Sequence, residues 1–125
     1  VAACLAVLDG LGMRGRTVVM SFQPATVAEA AAVGGFRRTA LLLDSKPWRG
    51  MGGASATGLA RACGAGEIGL HVGELTPAAV AAFRAAGFGV GAWGANHEGS
   101  IRAGFGLGLD AIATDDPPLA LRLRP

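Results

Sequence analysis

Short apolar runs alternate along this chain with segments of helical periodicity. Val1, Leu5, Leu8 and Leu11 recur every three or four residues, which predicts a helix over the first sixteen residues. Runs rich in β-branched residues predict five buried strands, at Thr17–Phe22, Thr39–Leu43, Ile68–Val72, Phe88–Trp93 and Leu109–Thr114. The segments between and after them predict helices at Pro24–Ala32, Ala54–Ala62, Pro77–Ala86, Glu98–Phe105 and Pro118–Leu123, with residues 44–53 as a loop.

The pattern amounts to a strand–helix unit repeated five times, with strand ends spaced roughly 21 to 29 residues apart. Such repeats require parallel strands joined by right-handed helical crossovers, so the predicted fold class is α/β. Five units form either a doubly wound open sheet or five of the eight units of a (β/α)₈ barrel. Because an open-sheet domain usually starts with its strand, the opening helix leads us to expect that another element precedes it.

Composition excludes several classes of protein. Hydrophobic residues make up 51% of the 125 residues and charged residues 16%, which excludes a disordered chain. The net charge is +2 and the cations are scattered, so no nucleic-acid surface is predicted. No apolar run is long and uninterrupted enough to predict a membrane span. The two cysteines, Cys4 and Cys63, are expected as small core residues and fit a reducing compartment, which predicts a cytoplasmic location.

Polar residues follow the predicted strands, where parallel sheets place their ligand sites. Oxygen donors and an imidazole could ligate a divalent cation, and the candidates are Asp44, His71, Glu74 and Asp115. Helix capping and loop hydrogen bonds are the favoured roles for them, since no metal-binding spacing is present. A nucleophilic serine, Ser21 or Ser45 with His71, lacks the G-x-S-x-G turn, so Ser21 is expected to donate a hydrogen bond at a pocket wall.

Glycine-rich and aromatic segments add two further candidates. Residues 50–58 follow a strand and precede a helix, which suits a phosphate, but a flexible rim loop is favoured because Gly-Lys-Ser/Thr is missing. Trp93, at a strand end, is a candidate apolar wall for a small polyol or alkyl group, with core packing as the alternative. Trp48 lies in the predicted loop and is expected to be a lid residue or an exposed anchor.

Several segments carry a family resemblance. Val18–Phe22 resembles the Ser-Phe strand of the glycerophosphodiester phosphodiesterase family, and Thr39–Leu43 its next strand. Gly87–Val90 with Trp93–Asn96 is similar to the family's Gly-x-x-Val … Trp-Thr-Val-Asn segment. Leu109–Pro117 is similar to its closing Asp-Gly-Ile-Ile-Thr-Asp-x-Pro segment. The resemblance covers essentially the whole chain, but Gly94 and Ala95 stand where the motif has Thr and Val.

The resemblance implies a barrel enzyme of lipid and glycerol metabolism that hydrolyses glycerophosphodiesters to an alcohol and glycerol 3-phosphate. In the family, two histidines act as acid and base and acidic residues hold a divalent cation, Mg²⁺ or Ca²⁺. Those groups belong to the first half of the barrel, so no catalytic residue and no metal ligand is carried over to this chain. Only pocket-lining positions are carried over: Ser21, Phe22, Trp93 and Asn96.

Residues 1–125 are therefore expected to form a single incomplete domain, the pocket-bearing half of such a phosphodiesterase, and to be inactive alone. This hypothesis predicts a curved five-stranded sheet with one unpaired edge and an exposed apolar inner face. The expected partners are a glycerophosphodiester, the missing N-terminal half and, through the exposed strand edge, a second copy. Two alternatives stay open: a non-catalytic half-barrel that associates with itself or with a separate N-terminal chain, and an unrelated doubly wound binding domain.

Overall fold

A computed structural model describes all of residues 1–125. The five strands are β1 (Val18–Ser21), β2 (Arg38–Leu43), β3 (Glu67–His71), β4 (Gly89–Trp93) and β5 (Ala111–Ile112). The six helices are α1 (Ala2–Gly10), α2 (Pro24–Val33), α3 (Ser45–Ala62), α4 (Pro77–Ala85), α5 (Glu98–Gly106) and α6 (Pro117–Leu123). Two short 3₁₀ turns occupy Arg14–Arg16 and Val72–Glu74.

All five strands are parallel and lie in the order β1-β2-β3-β4-β5. A doubly wound sheet reverses its strand order at a switch point, so the consecutive order excludes that alternative. The sheet curls into a half-barrel, which confirms the predicted α/β fold class and the part-barrel architecture.

The outer, convex face of the sheet carries the hydrophobic core. Alternate strand residues point toward the helices and are almost completely buried: Leu41, Leu43, Ile68, Leu70 and Val90. Helices α2 and α4 close over them with Val27 and Phe83, which are buried as well. Every second strand residue and the apolar side of each helix thus pack together in one hydrophobic layer.

The inner, concave face is built differently. The Glu67 carboxylate is buried there and forms an ion pair with Arg38 of the neighbouring strand. Gly91 leaves room for this pair, because a Cβ at position 91 would lie 2.6 Å from Oε1 of Glu67. Gly69 likewise admits the Leu42 side chain, whose Cδ2 would lie 2.5 Å from a Cβ at position 69. Small residues therefore make the floor of the concave face.

Both edges of the sheet are open, since β1 pairs only with β2 and β5 only with β4. The sequence predicted one such edge. Beside the β1 edge, Val18, Met20 and Phe22 are exposed, as expected for the apolar inner face of a part-barrel.

Three local predictions are wrong. The first helix ends at Gly10 rather than near residue 16, because Gly12 adopts a positive φ and turns the chain. Residues 45–53, expected as a loop, belong to α3: Asp44 caps the helix by accepting a hydrogen bond from the Ser45 N–H at 2.8 Å. Cys63 is buried as expected, whereas Cys4 is exposed.

Candidate substrate pocket

The carboxyl ends of the strands meet along one rim of the half-barrel. Met20 pairs with Ala40, Ala40 with Glu67, and His71 with Trp93, so the registers place these positions on the concave face. Phe22 follows two residues after Met20 and shares its face. The rim therefore brings together predicted site residues from the two ends of the sequence.

Three rings form an aromatic wall at this rim. The Trp93 ring lies edge-on to Phe22, with 5.3 Å between ring centroids, and edge-on to His71, with 4.8 Å. Strands β2 and β3 lie between Phe22 and Trp93, and in a flat sheet three strand spacings would separate their backbones by about 14 Å. The direct contact of the two rings follows from the curl of the sheet and the length of the side chains.

Trp93 is fixed by a polar contact as well as by packing. Its indole Nε1–H donates to the Leu43 carbonyl oxygen at the end of β2, at 3.4 Å. Trp93 nevertheless remains partly accessible. A half-buried ring of this kind offers an apolar surface to a small ligand.

Asn96 joins two loops of the rim. Its Nδ2–H donates to the Asp115 carboxylate at 2.6 Å, and its Oδ1 accepts the Asp115 backbone N–H at 2.9 Å. This reciprocal pair connects the loop after β4 to the loop after β5. Asn96 therefore shapes the rim through Asp115, and its direct contact with a substrate stays a prediction.

The predicted roles of Ser21 and Phe22 also stay predictions. Phe22 lies on the concave face, whereas Ser21 pairs with Leu41 and shares the convex face. The Ser21 Oγ accepts the Gln23 N–H at 3.0 Å, so its hydroxyl proton remains available for donation. Ser21 and Ser45 form no hydrogen bond with His71, whose Nδ1 accepts the Gly73 N–H at 3.2 Å. The geometry provides no activated serine.

Glu74 stands at the rim after β3 and is tied to α3. The Arg49 guanidinium binds both of its carboxylate oxygens, with 3.2 Å between Nε and Oε2. This hydrogen bonding holds the pKa of Glu74 below its ordinary value. The Glu74 carboxylate is therefore held in an ion pair with Arg49 and is not available as a free base.

The acidic candidates do not assemble into a cation site. Asp44 caps α3, Glu74 binds Arg49 and Asp115 binds Asn96. No group of three histidine, cysteine or acidic side chains lies close enough together to hold a metal ion. The residues present thus do not fit the divalent cation that the family resemblance implies, and their contacts are those of helix caps and loop hydrogen bonds.

Two other predictions for this region are wrong. Trp48 is neither lid nor exposed anchor, because it packs against the core residue Phe83 with 5.6 Å between ring centroids. Residues 50–58 are not the flexible rim loop that the sequence favours, since they lie within α3. Gly52 kinks that helix with a φ of 70°.

Sequence reasoning missed the position of His71 beside Trp93. The favoured role for His71 is a hydrogen-bonded strand-end residue, with metal ligand and nucleophile partner as the alternatives. The available signal was the repeat itself, because His71 and Trp93 occupy equivalent strand ends one repeat apart.

Comparison with known proteins decides the family. The model of the glycerophosphoryl diester phosphodiesterase family matches residues 1–119. The chain belongs to this family. A comparison with curated proteins finds no significant match.

Solved structures of proteins assigned to the same family share the fold. One from Agrobacterium tumefaciens is 28% identical, with a TM-score of 0.92 over 98% of this chain and 49% of its own. One from Silicibacter pomeroyi is 27% identical, with a TM-score of 0.82 over 98% of this chain and 42% of its own. A third, from Galdieria sulphuraria, is 17% identical with a TM-score of 0.76 and shows the fold alone; it matches 95% of this chain and 48% of its own.

This member of the glycerophosphoryl diester phosphodiesterase family therefore spans about half the length of the solved structures it matches. None of its helices has the length and apolar character needed to cross a bilayer.

Proposed function

We propose that this chain is the substrate-pocket half of a glycerophosphodiester phosphodiesterase, an enzyme that cleaves a glycerophosphodiester to an alcohol and glycerol 3-phosphate. The observation that carries the proposal is the wall of Phe22, His71 and Trp93 on the concave face of a family half-barrel. In this proposal the wall holds the glycerol or headgroup portion, since polyol and alkyl carbons pack well on half-buried rings. Asn96 supplies a polar contact at its margin, whereas Ser21, in register with Leu41 of the convex face, is assigned no contact with the wall.

The proposal assigns the chemical step to residues outside this chain. Hydrolysis of a phosphodiester needs a proton donor for the leaving oxygen, a base for the nucleophile and positive charge against the phosphate. Here the two histidines accept backbone N–H groups, His71 from Gly73 and His97 from Ser100. The acidic side chains at the rim are engaged in caps and pairs. Mg²⁺ or Ca²⁺ ligands and the acid–base pair are accordingly proposed to come from strands that this chain does not contain.

Location and pathway are part of the same proposal. A cytoplasmic enzyme of lipid and glycerol metabolism is supported by the family match and by two cysteines that form no disulfide.

Activity and binding measurements test the two parts separately. The purified 125-residue chain is expected to show no hydrolysis of glycerophosphocholine with Mg²⁺ or Ca²⁺, because it lacks the acid–base pair. Measurable metal-dependent turnover would overturn that assignment. In a Trp48→Phe variant, Trp93 is the single remaining tryptophan, and glycerol 3-phosphate is expected to change its fluorescence. Unchanged fluorescence and no heat of binding would overturn the pocket.

A second candidate, a non-catalytic half-barrel that self-associates, is favoured by a specific surface. An apolar groove of about 710 Å³ lies between α1 and the open edge strand β1, and nine of its eleven lining residues are hydrophobic. Open edges and exposed apolar grooves favour association. We expect light scattering over a concentration series to show a dimer that Val18→Lys dissociates, whereas a monomer at every concentration would exclude this candidate.

A further inference from the structure

His71 is the polar member of the aromatic wall. It ends β3, directly beside Trp93 in the register of the sheet, and its ring meets the indole at 78°. The ring is half-buried on the concave side, where the proposed ligand would lie. Its neighbours Phe22 and Trp93 offer the ligand mainly carbon, so the imidazole decides what hydrogen bonding the wall provides.

The backbone fixes which imidazole nitrogen carries the proton. The Gly73 N–H donates to Nδ1 at 3.2 Å, so Nδ1 is the acceptor nitrogen and the neutral ring carries its hydrogen on Nε2. Nδ1 makes the only hydrogen bond of this side chain within the protein. No buried side-chain nitrogen or oxygen lacks a partner, so Nε2 is a donor that faces accessible space.

Gly94 makes room for this ring. A Cβ at position 94 would lie 2.6 Å from Cδ2 and 2.7 Å from Nε2 of His71, closer than real Cβ atoms approach. Gly94 also has a φ of 75°, a conformation that favours glycine. The imidazole edge therefore occupies the volume that any side chain at position 94 would need.

We propose that His71 is a substrate-contacting residue of this pocket, whose Nε2–H donates to an acceptor oxygen of the glycerol phosphate group, and that Gly94 serves to admit the ring. The charge of the nearby Glu74 carboxylate is balanced by the Arg49 guanidinium, which reduces its repulsion of an anion here. This inference rests on the proposed function and deepens it, because it names the group that selects an oxygen ligand over a purely apolar one.

Two variants at position 71 test the acceptor role of Nδ1 and the donor role of Nε2 separately. In His71→Asn the amide oxygen can still accept the Gly73 N–H, but no donor reaches the pocket. In His71→Gln the longer amide can present an N–H near the place of Nε2. Binding of glycerol 3-phosphate and of inorganic phosphate would be followed by NMR titration of the full chain, with unchanged amide spectra as the control for folding.

We expect His71→Asn to weaken glycerol 3-phosphate binding about tenfold or more, as for loss of a hydrogen bond to a charged acceptor. His71→Gln should retain binding within about threefold. Gly94→Ala should weaken binding as His71→Asn does, because the added methyl displaces the ring. Long-range ¹H–¹⁵N spectra of the free protein should show the proton on Nε2.

Equal binding by wild type and His71→Asn would overturn the inference and leave the proposed pocket intact. Equal losses in both position-71 variants with an unchanged fold would also overturn it, because the donor would then be irrelevant. A proton found on Nδ1 would do the same. Absence of wild-type binding to either probe would overturn both this inference and the proposed pocket.

Discussion

The two faces of the sheet use the same alternating strand pattern but are covered in different ways. On the convex face, Ile68 and Leu70 are completely buried beneath helices. On the concave face, Met20 is 47% exposed and Phe22 is 46% exposed, while the centre of the face is made of glycines and one ion pair. The comparison shows that this half-barrel draws its stability from the helix-covered side and leaves the other side available for a ligand or partner.

The largest expected effect is on the convex face. Ile68→Ala removes a fully buried side chain and should lower the free energy of unfolding by about 4 kcal/mol, because the well-packed layer cannot close the cavity. Met20→Ala on the concave face is the matched control and should cost less than about 1 kcal/mol. Urea unfolding of both variants measures the difference. Similar losses would show that the concave face is also covered in solution.

The next effect concerns the ion pair of the concave face. Arg38→Met leaves the buried Glu67 carboxylate without its partner and should cost about 3 kcal/mol. The double variant Arg38→Met/Glu67→Met removes both charges and should recover most of that stability. Thermal unfolding of the two variants tests the assignment. A double variant no more stable than the single one would show that packing, rather than charge, governs this site.

The smallest expected effect concerns Asp110, which directly precedes the two-residue edge strand β5. The Asp110 carboxylate accepts the Val90 N–H at 2.9 Å, which lowers its pKa, and Arg84 lowers it further. A depressed folded-state pKa stabilises the protein above the unfolded value of about 3.9 and stops doing so as the pH falls through the folded value. Asp110→Asn should therefore cost less than about 1 kcal/mol at neutral pH, because solvent screens this exposed charge and the amide oxygen can still accept the Val90 N–H. Melting curves of the two proteins should converge in acid, and a constant gap down to pH 2 would contradict the assignment.

Repeat spacing was sufficient to predict a parallel sheet, because apolar runs indicate buried strands and regular intervals indicate helical crossovers. It left a doubly wound sheet and a part-barrel open, and the part-barrel was favoured by the opening helix and the family resemblance. Local structure was less predictable where tertiary contacts decide it. Residues 45–53 carry proline and glycine and suggest a loop, yet Trp48 packs on Phe83 and the Asp44 cap starts α3 there. In that segment the capping hydrogen bond and the burial of an aromatic ring outweigh weak helix propensity.

The candidate site was predictable in part. Motif resemblance selected Trp93 and Phe22, and the structure brings their rings together. The motif resemblance could not reveal that His71 completes the aromatic wall. Nor could it reveal that the Asn96 amide forms hydrogen bonds with Asp115. These pairings join positions about 20 residues apart. The repeat places them at neighbouring strand ends, but no local pattern encodes which side chains make contact.

By itself, the sequence determined the succession of strands and helices along the chain, the apolar positions and the family motifs. Each of these depends only on residues close together in the sequence. Only the tertiary structure decided between the curled sheet and the doubly wound alternative. It also showed that the His71 ring fills the space beside Gly94 and that the acidic side chains pair apart from one another. The physical reason is that curvature and side-chain packing are set by all five strands together, whereas propensity and periodicity act over a few residues at a time.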